Sequence, residues 1–120
     1  MKVGKKGIIS TRHDKTLTYA LQAVKESAVA PYVTGLFLYG SFARKQYSWN
    51  SDVDLLLELS EDIPIDMYRD DMIRLKSIVT PTDPLLPEVD LKIVVGYKWR
   101  TDQMLYYKNV RKDGVNIWDT

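Results

Sequence analysis

Residues 33–59, VTGLFLYGSFARKQYSWNSDVDLLLEL, decide how this chain reads. One apolar run, Val33 to Tyr39, leads into Gly40-Ser41, and a second, Val53 to Leu59, opens on Asp52 and Asp54. The first run is apolar on both faces, which predicts a strand in the middle of a sheet. Side chains alternate along a strand, so Asp52 and Asp54 point one way and Val53, Leu55 and Leu57 the other. Asp54 stands between Val53 and Leu55, where a carboxylate is costly unless it is paired or holds a metal. A third apolar run, Val89 to Val95, carries Asp90 on the same face as Lys92, with Val89, Leu91 and Ile93 opposite. The sheet is therefore expected to have one apolar face for the long helices and one partly polar face onto which the aspartates open. Carboxylates gathered at the ends of neighbouring strands repel one another, and a metal ion turns that repulsion into coordination. Oxygen-only donors suit Mg²⁺ or Mn²⁺. Two such ions roughly 3.5–4 Å apart would clamp the attacking and leaving oxygens of phosphoryl chemistry.

Gly40-Ser41 supplies the other half of the pattern. Glycine removes the side chain where backbone must approach a ligand. Ser41 is expected to cap a short helical turn over Phe42-Ala43-Arg44, whose free N–H groups favour a phosphate. Arg44 is near enough in sequence to add positive charge. Each motif also has a plainer reading. Asp52 can bond the turn at Ser51, and Asp90 can pair with Lys92.

Around this frame the chain of 120 residues reads as α-β-α-β-α-β-α. Leu17, Leu21, Val24 and Ala28 share a helix face, which predicts a helix from about Asp14 to Ala30, ended by Pro31. Ile65, Tyr68, Met72, Leu75 and Val79 predict a second over Ile63 to Val79. A last helix is expected over about Trp99 to Arg111, with Gly114 as a left-handed cap and Val115 to Trp118 as a short edge strand. The fold class is α/β (α+β), one small mixed sheet of three to four strands flanked by helices. Residues 1–13 are expected to be a loose lead-in, not a signal peptide, and 14–120 a single domain. His13 reads as a surface or capping residue. Trp99, Tyr106, Tyr107 and Trp118 read as core or interface, and Glu58, far along its strand from the aspartates, is not assigned to the site.

Composition narrows the function. A formal net charge of +1 gives no field to draw the chain onto nucleic acid. The absence of cysteine excludes thiolate metal sites and disulfides. No apolar run approaches the roughly 20 residues of a membrane span, and the chain is expected in the cytoplasm.

Gly40-Ser41, ten intervening residues, Asp52-Val53-Asp54 and then Val89-Asp90-Leu91 resemble the DNA polymerase beta-like nucleotidyltransferase superfamily. The flanking Gly-Ser-Phe-Ala-Arg and Ser-Asp-Val-Asp-Leu match as well. The nearest likeness is to the minimal nucleotidyltransferases, small domains found as the antitoxin beside a HEPN-type partner, and the ending from Asn109 to Trp118 looks like their tail. One departure is Lys45, where many relatives have glycine. The resemblance implies a polymerase beta palm-like fold. It also implies that Asp52, Asp54 and Asp90 are catalytic and hold Mg²⁺ (or Mn²⁺), while Gly40, Ser41 and Arg44 bind the nucleotide. The implied reaction is transfer of a nucleoside monophosphate, most simply AMP from ATP, to an acceptor hydroxyl on a protein partner, with a HEPN-type chain or a second copy completing the acceptor side. The alternatives are an antitoxin acting by contact alone and transfer to a small molecule such as an antibiotic.

Overall fold

The structure, a computed structural model, describes residues 4–118, with the backbone alone for residues 4–11 and Tyr106. The first helix, α1, spans Gly4–Lys25, and a 3₁₀ turn at Ala30–Tyr32 delivers the chain to β1, Val33–Tyr39. Then come α2 (Gly40–Ala43), β2 (Val53–Leu59), α3 (Ile65–Ile78), β3 (Val89–Val95), a 3₁₀ turn at Lys98–Arg100, α4 (Leu105–Asp113) and β4 (Val115–Asn116). The sheet order is β3-β2-β1-β4, with β2 and β3 parallel and the other pairs antiparallel. The mixed four-stranded sheet is the expected one. Apolar β1 is interior, and β4 is an edge. The α3 crossover allows β2 and β3 to run parallel, which a tight hairpin could not.

Alternation along β2 sorts the core into two layers. Val53, Leu55, Leu57 and Leu59 face Ala20 and Val24 of α1 and Leu75 of α3, all fully buried. On the other face Leu56 packs with Tyr39, Trp99 and Val110. This second face is thus covered along part of its length by the Lys98–Arg100 turn and α4, whereas Asp52 and Asp90 at its other end are exposed.

Several boundaries differ from expectation. The first helix starts at Gly4, inside the stretch read as a lead-in, and stops at Lys25 rather than Ala30. Residues 26–29 instead turn, with the Ser27 hydroxyl donating to Val24 O at 2.7 Å and competing with helical bonding. Residues 1–3 and 119–120 lie outside the described residues. The last helix is divided. Trp99 and Arg100 are drawn onto the sheet by Glu58, and Asp102 Oδ1 accepts from Met104 N at 2.9 Å before α4 begins. Gly114 is extended (φ −71°, ψ 139°), not left-handed. Glycine is needed there because a β-carbon would collide with Val110 O, which accepts the Gly114 N–H at 2.7 Å. Trp99 is core, Tyr107 and Trp118 pack against the core, and the Tyr106 side chain lies outside the described ones. No helix among the described residues is long and apolar enough to cross a membrane.

Candidate active site

Strand register assembles the centre of the site. Tyr39 of β1 stands opposite Asp54, and Asp54 opposite Asp90 of β3. Directly after Tyr39 the chain turns at Gly40, whose φ of +80° is left-handed. A β-carbon on Gly40 would collide with Asp54 Oδ2, so both the turn and the close approach demand glycine. The Gly-Ser motif and the Asp-x-Asp motif are thereby in contact across two strands.

Ser41 is not the helix cap. Tyr39 occupies that position without a side-chain bond, because the left-handed turn starts the helix at Gly40. Helix α2 is anchored by buried Phe42 and closed by Gln46 N donating to Ser41 O at 2.9 Å. Lys45 follows with φ 61°, a left-handed conformation that suits glycine better than lysine. Arg44 reaches Asp113 of α4 at 3.3 Å and Gln46 at 3.2 Å.

Electrostatically the centre is under strain. Burial pushes the Asp54 carboxyl up to about 6, the charges of Asp90 and Asp52 push the same way, and Lys92 and Arg44 oppose them. Asp90 itself is held by Lys92, whose Nζ is 3.2 Å from each carboxylate oxygen. Among the described residues, no group of three His, Asp or Glu side chains stands ready to hold a metal ion. Register makes Asp54 and Asp90 neighbours and alternation puts Asp52 on their face, but the three do not close on a common point.

Helix α1 fixes the loops that carry two of these aspartates. Thr16 Oγ1 donates to Pro87 O at 2.9 Å, ahead of Asp90, and Arg12 Nε donates to Leu85 O at 2.9 Å. Ahead of Asp52, Arg12 donates to Trp49 O and stacks on its ring, while the His13 ring bonds Ser51 O through Nε2. His13 is therefore no surface residue. It is buried among Phe42 and Tyr47, and burial holds its pKa below the usual value. A helix starting at Gly4 puts it mid-helix. Its spacing from Ala20 and Val24 continues the buried face, a signal present in the sequence.

The model of the nucleotidyltransferase domain family matches residues 17–115, which contain every motif of the site. The chain belongs to that family. This nucleotidyltransferase is also similar to solved structures. One is a candidate nucleotidyltransferase from Sulfolobus solfataricus, 24% identical, TM-score 0.54, with 99% of this chain and 92% of the other covered. Another is a toxin–antitoxin structure with AMP-PNP, 18% identical, TM-score 0.53, with 86% and 73% covered. At these identities the likeness is one of fold. No curated protein matches the sequence. The family implies a divalent cation, and the donors present fit one in their chemistry. They are oxygen ligands only, and the repulsion that adds to burial in raising Asp54 would be relieved by a bound cation.

Proposed function

We propose that this nucleotidyltransferase transfers AMP from ATP to a hydroxyl on a partner protein in the cytoplasm, with Mg²⁺ (or Mn²⁺) held by Asp52, Asp54 and Asp90. The observation that carries the reading is the contact of Gly40 with Asp54, itself in register with Asp90. This arrangement keeps a half-buried carboxylate beside other carboxylates, which costs stability and is explained by use. Bound Mg²⁺ would neutralise the phosphates and the carboxylates together. Gly40 and Ser41 would seat the β- and γ-phosphates, with Arg44 adding charge. The acceptor oxygen bonds to the α-phosphorus, whose bond to the oxygen bridging to the β-phosphate breaks. Pyrophosphate leaves with that oxygen, and the hydroxyl proton passes to Asp90. Positioning and charge neutralisation supply most of the rate.

The protein acceptor is supported by the near-neutral charge, which disfavours nucleic acid, and by the fold shared with a toxin–antitoxin protein solved with AMP-PNP. The test is incubation of α-labelled ATP and Mg²⁺ with the chain and a HEPN-type partner, followed by mass spectrometry of the partner. Wild type should leave an AMP adduct and Asp54→Asn none. An adduct formed by Asp54→Asn at the wild-type rate would sink the assignment.

A further inference from the structure

Lys92 stands two residues beyond Asp90 on the same face of β3, and its Nζ donates to both oxygens of that carboxylate at 3.2 Å each. In register it faces Leu56 of β2, two positions along from the Asp54–Asp90 pair, and its charge also reaches Asp54. The lysine and aspartate side chains are 32% and 49% exposed, so the pair itself adds little to stability. Its consequence lies in the site. A cation built into the chain already engages one of the three carboxylates.

We propose that Lys92 is the internal counter-ion of the metal-free site, exchanged when a divalent cation and a nucleoside triphosphate arrive together. The cation takes Asp90, and the triphosphate takes the released ammonium. The proposal rests on the reading of Asp52, Asp54 and Asp90 as the metal site. Its physical basis is charge matching. A divalent cation arriving alone must break the Lys92–Asp90 pair and then sit beside a like charge. Arriving with the triphosphate, it leaves the ammonium with a new anionic partner. Cation and nucleotide therefore favour each other's binding by the same factor, and the lysine carries part of that coupling.

The experiment is Mn²⁺ titration of the whole chain, followed by calorimetry and electron paramagnetic resonance, with and without a non-hydrolysable ATP analogue. The variants are Lys92→Met, Lys92→Gln and Lys92→Arg, each checked for an unchanged thermal midpoint. Without nucleotide, the two neutral variants should bind Mn²⁺ about tenfold tighter than wild type, since a partly desolvated competing charge is gone. Adding the analogue should improve wild-type affinity more than theirs, and Lys92→Arg should follow wild type. Equal or weaker Mn²⁺ binding by the neutral variants overturns the role of Lys92 and leaves the metal site standing. No Mn²⁺ binding by any form, with or without the analogue, overturns the metal-site reading and this proposal with it.

Discussion

Asp54 and Glu58 lie on the same face of β2, four residues apart, and their surroundings are opposite. Glu58 is fully buried and accepts four hydrogen bonds. Trp99 Nε1 donates at 2.6 Å, Arg100 at 3.1 and 3.0 Å, and the Thr34 hydroxyl at 2.8 Å. Asp54 is less buried, yet burial first, and then the charges of Asp90 and Asp52, push its pKa up to about 6. One strand thus carries a carboxylate that fastens the fold and a carboxylate that the fold tolerates. Burial does not separate the two. The balance of donors against like charges does.

The comparison can be broken most sharply at Asp54. Asp54→Asn should lower AMP transfer at least ~10³-fold, about 4 kcal/mol of transition-state stabilisation, measured by the rate of partner labelling. Glu58→Ala should instead destabilise the protein by about 3 kcal/mol, because it strands the Trp99 N–H in the core and leaves a cavity. Urea unfolding measures that loss, and Mn²⁺ affinity of the remaining folded protein should be unchanged. A neutral Glu58→Ala, or one that abolishes Mn²⁺ binding, would erase the distinction.

A third test uses the sign of the Asp54 shift. The folded carboxyl titrates near 6 and the unfolded one near 3.8. Between those values the folded chain binds the extra proton, so metal-free stability falls as pH rises through that window and stays lowered above 6. Asp54→Asn should remove this slope. At pH 7 it should be more stable than wild type by about 1–2 kcal/mol, a figure discounted for solvent screening of a half-exposed group. Urea midpoints at pH 4.5 and 7 in chelator give the difference, and an Asp54→Asn variant that is less stable at pH 7 contradicts the picture. The smallest effect belongs to the loop between the motifs. Lys45→Gly should stabilise by ~0.5–1 kcal/mol, relief of the left-handed conformation being partly offset by the freer unfolded chain, and thermal unfolding reads it.

Much of this was legible because it depends on short-range periodicity. Alternation along Val53 to Leu59 assigned both faces of β2, and the apolar Val33 to Tyr39 marked an interior strand. Gly40-Ser41, Asp52-Val53-Asp54 and Val89-Asp90-Leu91 together carried the resemblance to the family that the domain model then matched. The pairing of Asp90 with Lys92, two residues apart, was legible, but most other contacts of the polar side chains around the site were not, because the partners are far apart in sequence. Glu58 meets Trp99 and Arg100, Arg44 meets Asp113, and Arg12, His13 and Thr16 reach residues 49, 51, 85 and 87. The left-handed position at Lys45 was likewise hidden, since lysine carries no signal for it.

The sequence by itself therefore determined the strands, their buried faces and the order of the motifs along them, all of which follow from local alternation and residue type. Only the tertiary structure decided that Gly40 rests on Asp54, that Asp54 faces Asp90, and that Glu58 is fully satisfied. Those depend on strand register and on the docking of α4 and α1. Long-range packing sets both, and no local pattern encodes them.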